Sequence, residues 1–234
     1  MAYYRDLHEW LDFLESKDLL NRIARPIDKD TEMHPLVRLQ FRGLPERERK
    51  GWFFQNVTDV RGKNYDIPVA LAVMAPSRAV YALGMGVASS EEIPAKWAYA
   101  QTHPIPPRVI DSGAPCQEMV YEGRALEQAG GAGMLPVPIS TPGFDSGPFL
   151  SSGHWVTRDV ETGEHNFGTY RGQIKSPTRI GLFAFAYQDI SKHWNKARAS
   201  GKPLEAAIVI GCTPNLSYCS TARLVGSEDR KSVV

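Results

Sequence analysis

SSGHWVTRDVETGEHNFGTYR, residues 151–171, is the stretch that decides how the second half of this chain folds. One run of β-type residues ends at Arg158, the turn-forming sequence DVETG follows, and a second run begins at His165. Gly163 can supply the positive φ that a tight turn between two strands requires. The pattern therefore predicts a β-hairpin whose returning strand carries NFGTYR, residues 166–171.

The returning strand places two polar residues at an unusual spacing. Asn166 and Arg171 are five residues apart, so a regular strand would direct their side chains to opposite faces. Gly168 lies between them, and glycine inside a strand commonly marks a β-bulge or a close approach of the backbone to a ligand. We predict a bulge at Gly168 that brings Asn166 and Arg171 into one site. The alternative is an ordinary hairpin with a solvated asparagine and a surface arginine.

The composition excludes several classes of protein. A chain of 234 residues that is 42% hydrophobic can form a core. Its 27 Lys and Arg balance 26 Asp and Glu, which argues against nucleic-acid or membrane-surface partners. Cys116, Cys212 and Cys219 contain no CxxC pair, which argues against a disulfide framework and a zinc site. The same cysteine usage fits a reducing cytoplasm, and no apolar segment has membrane-spanning length.

The first hundred residues alternate strand and helix patterns. Asp6 and Ser77 are predicted N-caps of helices. The proline-rich sequence HPIPP, residues 103–107, suits neither a helix nor a central strand, and we predict there the boundary between a domain 1–105 and a domain 106–228. The predicted helices span 6–16, 31–41, 77–83 and 94–99, and the predicted strands span 19–23, 52–57 and 67–73.

The second half predicts a small β-barrel or another β-rich domain, because short strand patterns alternate with turn sequences. Besides the hairpin, apolar runs at 180–187 and 206–210 predict buried strands, and 118–121 predicts a further strand. Helices are predicted over 189–199 and after the cap and first-turn pair Thr213-Pro214.

The residues that could carry chemistry form no familiar motif. No nucleophile elbow, Walker loop, HExxH or GxGxxG is present. Asn166, Asp189 and Glu228 offer oxygen donors that would suit Mn²⁺ or Mg²⁺ if folding brought them together. Taken singly, Asp189 is typical of a helix N-cap and Glu228 of a solvated side chain. The candidate polar residues at strand ends and helix starts are Ser152, Asn166, Arg171, Gln188, Asp189, Ser220 and Glu228.

Several segments together resemble the UbiD family of prenylated-FMN-dependent decarboxylases and carboxylases. The segments are DLHEWLDFL (6–14), LPVP (135–138), GPFLSSG (147–153), TRDVETG (157–163), NFGTYR (166–171), KARASGKPL (196–204), AAIVIG (206–211) and Ser227-Glu228. The resemblance covers nearly the whole chain. It implies an α+β fold, with an N-terminal α/β domain followed by an incomplete split β-barrel that binds flavin.

The resemblance also implies a cofactor site. Asn166 and Glu228 match ligands of the Mn²⁺ that holds the prenylated-FMN phosphate, and Asp189 stands where the family has a histidine ligand. An aspartate can still bind Mn²⁺ through oxygen, although it adds negative charge. The implied flavin contacts are Ser152, Asn166, Gly168, Thr169, Tyr170, Arg171, Gln188, Ser220 and Thr221. Backbone oxygens between Cys219 and Ala222 fall where the family binds K⁺.

Arg171 matches the family's catalytic arginine, and a guanidinium can orient a carboxylate over the flavin. Phe185 and Gln188 would lie on the substrate side. The family's two catalytic glutamates have no match in this chain, so we expect the chain alone to be inactive. The family is about twice this length, and the C-terminal domain that mediates its oligomerisation has no match here. We therefore expect the full-length protein to be a homo-oligomer.

The resemblance predicts reversible, non-oxidative decarboxylation of a small aromatic or α,β-unsaturated acid. Two alternatives remain open, a flavin reductase-like split barrel that binds FMN and a non-catalytic flavin-binding or assembly module. The last six residues, DRKSVV (229–234), are what GAT CGG AAG AGC GTC GTG would encode, a sequence that resembles sequencing-adapter sequence. We predict that they form a non-native tail and that the natural protein continues beyond Glu228.

Overall fold

Seven α-helices and twelve strands make up the part of the chain that the computed structural model describes, residues 3–103, 105, 108–110 and 112–222. The helices are α1 (Leu7–Ser16), α2 (Met33–Gly43), α3 (Arg78–Gly84), α4 (Ile93–Thr102), α5 (Gly123–Gln128), α6 (Asp189–Ala199) and α7 (Pro214–Thr221). The strands of the first half are β1 (Leu20–Ile23), β2 (Ile27–Asp28), β3 (Gly51–Phe54), β4 (Val57–Thr58), β5 (Asn64–Tyr65) and β6 (Val69–Leu71). Those of the second half are β7 (Phe149–Leu150), β8 (His154–Arg158), β9 (His165–Thr169), β10 (Gly172–Ser176), β11 (Arg179–Leu182) and β12 (Ala206–Val209).

Polar caps start the helices that the sequence predicted most closely. The Asp6 side chain accepts a hydrogen bond from the Glu9 N–H at 2.9 Å, and the Ser77 hydroxyl accepts one from the Val80 N–H at 3.3 Å. Each bond satisfies a backbone donor that the first helical turn leaves unpaired. Both predicted caps are confirmed.

The first half of the chain contains two small sheets, each with a parallel and an antiparallel pair. In one sheet β1 runs parallel to β3, which pairs antiparallel with β6. In the other, β2 runs parallel to β4, which pairs antiparallel with β5. Trp10 and Leu14 of α1 are fully buried in the core against the first sheet. The predicted strand 52–57 is divided into β3 and β4.

The second half contains two antiparallel sheets that meet at the segment of interest. One has the order β12-β8-β9, and the other has the order β11-β10-β7. Between β9 and β10 only Tyr170 and Arg171 remain, so the chain passes from one sheet to the other within two residues. The buried residues Trp155, Tyr170 and Ile190 form the core at this crossing. The α+β fold class is confirmed, and within the described residues these sheets do not close into a barrel.

Three strand predictions are wrong in whole or in part. Residues 118–121 form no strand, and Met119 is 70% exposed. The strand predicted over 180–187 ends at Leu182, after which Phe183 is 74% exposed. β12 forms, but it lies at a sheet edge and Val209 is exposed. The last two runs are covered only in part, since Ile180, Ala184 and Ile208 pack against the core of Trp155, Tyr170 and Ile190 while their neighbours are exposed.

Within the described residues, no helix combines the length and the apolar character that crossing a lipid bilayer requires. Glu228 and the tail 229–234 lie outside the described residues. The predicted division of the chain near residue 105 stays a prediction.

Candidate active site

The predicted hairpin is present and regular. β8 and β9 pair antiparallel, with Thr157 opposite Asn166 and Trp155 opposite Gly168. Gly163 has φ +76° in the connecting turn, as its prediction required. Because the ladder continues without a shift through Gly168, the predicted β-bulge is wrong. The regular pleat leaves Asn166 buried, whereas Arg171 is exposed beyond the end of the strand.

Gly168 instead allows a side chain to approach the backbone closely. A Cβ atom at this position would lie 2.7 Å from both Cε2 and Oη of Tyr170. The Tyr170 ring is itself buried and folds back along the strand, so that its hydroxyl reaches the Asn166 Nδ2 at 3.4 Å. The close approach predicted for this glycine is therefore to Tyr170.

Asn166 carries a buried acceptor without a partner. Its side chain is 3% exposed, and its Oδ1 accepts no hydrogen bond within the part of the chain that the structure describes. Leaving a buried carbonyl oxygen unpaired costs about 1–3 kcal/mol. Such an atom commonly marks a position that a ligand or an ion satisfies. This observation fits the metal or phosphate contact that the resemblance implies for Asn166.

A buried polar network fixes Thr169, the last residue of β9. The Thr169 hydroxyl lies 2.8 Å from the His154 Nδ1 and 2.7 Å from the Ser220 Oγ. The His154 Nε2 lies 3.1 Å from the Ser217 Oγ, so one imidazole joins β9 to two residues of α7. Burial lowers the pKa of His154, which favours the neutral ring in this network. Ser220 therefore acts on the cleft through Thr169.

Arg171 is held from two sides. Its Nη2 donates to both carboxylate oxygens of Asp145 at 3.2 Å. Its guanidinium carbon lies 4.1 Å from the centre of the Phe149 ring, a cation–π contact. The guanidinium is therefore positioned although the Arg171 side chain is 49% exposed.

Five predicted site residues line one cleft of about 530 Å³. They are Thr169, Tyr170, Arg171, Phe185 and Gln188. The volume lies in the range of small-molecule and cofactor pockets. The rest of the lining consists of Phe149, Gln173, Lys175, Gly181, Leu182 and Phe183. Among the described residues, the wall therefore has aromatic and cationic side chains and no carboxylate.

A tight turn before α6 supports the aromatic side of the cleft. The Gln188 Oε1 accepts a hydrogen bond from the Phe185 N–H at 2.7 Å, and the Gln188 N–H donates to the Phe185 carbonyl at 3.0 Å. Phe185 stacks on Tyr187 with ring centres 5.5 Å apart. These contacts hold Phe185 half-exposed at the opening of the cleft.

An ion pair and a hydrogen bond join helix α6 to the hairpin. The Lys196 Nζ donates to the Asp159 Oδ2 at 2.7 Å, and this bond above all lowers the pKa of Asp159 to about 2. The His193 Nδ1 lies 3.0 Å from the Thr157 Oγ1, and burial lowers the pKa of His193 although Asp159 is nearby. Asp189 is the first residue of α6, and its carboxylate accepts a hydrogen bond from Lys192 at 2.9 Å. Gln188, one residue earlier, occupies the N-cap position.

The other predicted site residues lie away from the cleft lining. Ser152 is exposed in the turn between β7 and β8, and Thr221 donates to the Tyr218 carbonyl at the end of α7. Within the described residues, no three His, Cys, Asp or Glu side chains come together as a metal site. Asn166 is an amide ligand and Glu228 lies outside that part, so the predicted trio of Asn166, Asp189 and Glu228 stays a prediction.

Three residues of this region were not predicted as site residues: Asp145, Phe149 and His154. Asp145 and Phe149 lie within the turn sequence FDSGPF, residues 144–149, and an acid in such a turn was the available signal for Asp145. His154 was visible as the only histidine of β8, but its partners on α7 are more than 60 residues away.

Two family descriptions match the chain. The N-terminal domain of 3-octaprenyl-4-hydroxybenzoate carboxy-lyase matches residues 11–98, and the Rift-related domain of the same carboxy-lyase matches residues 108–230. An uncharacterised protein of Synechocystis is 31% identical over 233 residues, covering 90% of this chain and 43% of the relative. A phenolic acid decarboxylase of Sedimentibacter hydroxybenzoicus is 27% identical over 231 residues, covering 93% and 45%.

Solved structures show the same relationship in three dimensions. The UbiD-class enzyme HmfF of Pelotomaculum thermopropionicum, in complex with FMN, is 31% identical with a TM-score of 0.80 over 96% of this chain and 47% of that one. The vanillic acid decarboxylase of Sedimentibacter hydroxybenzoicus in its closed form is 26% identical with a TM-score of 0.81, over 98% and 47%. The chain thus spans about half the length of the relatives that it matches.

Proposed function

Because this chain belongs to the UbiD family of carboxy-lyases, we propose that it forms the flavin-holding part of an enzyme that removes CO₂ from a small aromatic or α,β-unsaturated acid. The observation that carries the proposal is the cleft in which Arg171 lies beside Phe149, Tyr170 and Phe185. A fixed cation next to aromatic walls suits a flat acid with one carboxylate. Decarboxylation without net oxidation, reversible in principle, is the reaction that we propose.

We propose prenylated FMN as the cofactor. An evolved dimeric HmfF bound to this cofactor is 29% identical with a TM-score of 0.81 over 98% of this chain. When bound, the cofactor supplies the covalent or electron-sink chemistry that the protein itself lacks. The chain's own task is to hold it: Thr169, Tyr170, Arg171 and Gln188 line the cleft, and Ser220 fixes Thr169. Gly168 contributes by giving Tyr170 room, and we propose Ser152 and Thr221 as outer contacts.

We propose that Asn166 binds the divalent ion, Mn²⁺ or Mg²⁺, that holds the cofactor phosphate. Its unpaired buried Oδ1 is the atom that fits such an ion. Asp189 and Glu228 would complete the set. The backbone between Cys219 and Ala222 is the proposed K⁺ position. The proposed function rests on the flavin cleft and not on these ion assignments.

In this proposal, the residues of the cleft have different roles in catalysis. Arg171 binds the substrate carboxylate by charge-assisted hydrogen bonds and orients it. Phe149, Phe183 and Phe185 exclude water and pack on the flat acid, with Gln188 beside them. The lining contains no carboxylate to return a proton after CO₂ leaves. We therefore propose that glutamates outside this chain supply the proton, as the resemblance implies.

The experiment compares Arg171→Ala with the unchanged protein in two preparations. In the 234-residue chain, we expect the affinity for FMN to change by less than about threefold, because Arg171 is one of several flavin contacts and its charge acts on the substrate carboxylate. In the full-length enzyme with prenylated FMN and Mn²⁺, we expect turnover to fall about 100-fold or more. The unchanged 234-residue chain, loaded in the same way, should show little or no CO₂ release. CO₂ release at the full-length rate from the chain alone would contradict the assignment of the proton donors.

A second candidate is a non-catalytic flavin-binding module, since the described lining of the cleft offers a binding surface without an acid to return a proton. That candidate predicts that Arg171→Ala leaves the full-length protein's activity unchanged. The flavin reductase-like alternative predicts NAD(P)H oxidation by the FMN-loaded chain, which the same preparation tests. We further propose that the full-length protein is a homo-oligomer in the cytoplasm, and its mass in solution tests the oligomer.

A further inference from the structure

Asp145 engages only one of the three guanidinium nitrogens of Arg171. Both of its carboxylate oxygens accept from Nη2 at 3.2 Å. A guanidinium carries five N–H donors spread over three nitrogens. Within the described residues, Nε and Nη1 of Arg171 donate to no other side chain or carbonyl. The Asp145 carboxylate therefore anchors the guanidinium and leaves most of its donors available.

Asp145 is itself held rigidly. Its Oδ2 accepts from the Thr141 N–H at 2.9 Å, and its own N–H donates to the Thr141 carbonyl at 2.9 Å. Gly143, in the middle of this turn, has φ +85° and so allows the tight reversal. The Asp145 side chain is 15% exposed, compared with 49% for Arg171. A half-buried acid, held by two hydrogen bonds to Thr141, thus meets a more exposed arginine.

The first half of the chain secures the same turn. The Arg38 Nη2 on α2 donates to the Ser140 carbonyl at 2.9 Å and lies 3.3 Å from the Thr141 Oγ1. The contact joins residues more than 100 positions apart. A continuous series of bonds therefore runs from α2 through the turn to Asp145 and Arg171.

A long arginine side chain loses rotamer entropy when it binds a carboxylate, and holding it beforehand lowers that cost. Phe149 restricts the plane of the guanidinium from one face, 4.1 Å from the guanidinium carbon, and Asp145 fixes its rotation from the edge. We propose that Asp145 is a positioning residue that holds Arg171 at the cleft with its remaining N–H groups ready for the substrate carboxylate. The inference rests on the proposed function of Arg171.

The test separates the anchor from the cation by comparing Asp145→Ala, Asp145→Asn and Arg171→Lys in the 234-residue chain. Asp145→Ala removes the acceptor, and Asp145→Asn keeps an acceptor of the same shape. Arg171→Lys replaces the forked guanidinium with an ammonium group. One measurement is the ¹⁵N–¹H order of the Arg171 Nε–H, assigned by its loss in Arg171→Lys. The other is the affinity for benzoate relative to benzamide, its uncharged analogue.

We expect the Arg171 Nε–H to be ordered in the unchanged chain and in Asp145→Asn, and mobile in Asp145→Ala. We expect benzoate affinity to fall about tenfold in Asp145→Ala and to stay within about threefold in Asp145→Asn. Benzamide affinity should not change in either. An unshifted Trp155 indole N–H signal serves as the control that the fold around the cleft is intact.

The outcomes distinguish this inference from the proposed function. Equal order of the Arg171 Nε–H in Asp145→Ala and the unchanged chain would overturn the role of Asp145. If the order depends on Asp145 while Arg171→Lys binds benzoate as tightly as before, the positioning contact stands and the proposed function of Arg171 fails. A chain that does not prefer benzoate to benzamide would overturn both.

Discussion

Gly168 is the residue at which the site has least room, because the Tyr170 ring lies where a Cβ atom would be. We predict that Gly168→Ala pushes this buried ring away and destabilises the chain by about 1–3 kcal/mol, the usual cost of overpacking. Chemical denaturation measures this change. Because Tyr170 lines the cleft, FMN affinity should fall in parallel.

Gly43→Ala is the matched control for that substitution. Gly43 is the last residue of α2, and a Cβ atom there would meet nothing within 4 Å. Alanine also has the higher helix propensity, so this variant should be neutral or slightly stabilising. Equal destabilisation by both substitutions would show that the Tyr170 contact is not the cause.

At the residue scale, the sequence predicted which side chains line the cleft more accurately than it predicted their contacts. Thr169, Tyr170, Arg171, Phe185 and Gln188 were all candidates, and all line the cleft. The spacing of Asn166 and Arg171 did not predict how they lie in the fold, because the strand is regular. Gly168 makes room for the Tyr170 ring and forms no bulge. The partner of Arg171 lies 26 residues earlier, and a pattern within one strand contains no information about it.

The hairpin and α6 are joined by an ion pair that should respond to acid. The folded protein lowers the pKa of Asp159 from 3.8 to about 2, chiefly through the hydrogen bond from Lys196. A carboxyl with a lowered pKa stabilises the fold above its unfolded pKa, and this stabilisation disappears as pH falls through the folded value. We predict that Asp159→Asn lowers the melting temperature by several degrees at pH 6.

The pH dependence of this difference in melting temperature is the more stringent test. The gap in melting temperature between the unchanged chain and Asp159→Asn should be full above about pH 4 and should shrink between pH 4 and pH 2. Thermal scans at intervals across this range measure it. A gap that stays constant down to pH 2 would mean that the charge of Asp159 contributes nothing.

At the element scale, helices were predicted more accurately than strands for a physical reason. Asp6, Ser77 and Pro214 mark helix starts by bonds or torsions within a few residues, so the signal is local. Strands depend on partners far away in sequence. The apolar run after Ile180 therefore gave no sign that its strand ends at Leu182 and that the aromatic residues beyond lie at the surface.

On the scale of the whole molecule, the first half of the chain supports the cleft in the second half through Arg38. We predict that Arg38→Met loosens the turn at 140–145, because the Ser140 carbonyl and the Thr141 hydroxyl lose a charged donor. Phe144 is 89% exposed in this turn, so chymotrypsin can report the loosening by cleavage after it. Cleavage should become several-fold faster, with little change in the melting temperature.

Arg42→Met is the matched control, since Arg42 is exposed and lies four residues further along α2. It should leave cleavage after Phe144 unchanged. If Arg38→Met and Arg42→Met behave alike, the turn does not depend on α2. Sequence reasoning placed a boundary between the two halves and did not anticipate this contact, because nothing near Arg38 or Ser140 indicates the other.

The two-residue crossing between β9 and β10 gives the cleft a mechanical property. Rotation of one sheet against the other would change the backbone torsions of Tyr170 and Arg171, the shortest of the connections between the sheets. The Tyr170 carbonyl accepts a hydrogen bond from the Trp155 indole N–H at 3.0 Å, which restrains the first of these two residues. We therefore expect a molecule that binds at Arg171 to restrict rotation of the two sheets against each other.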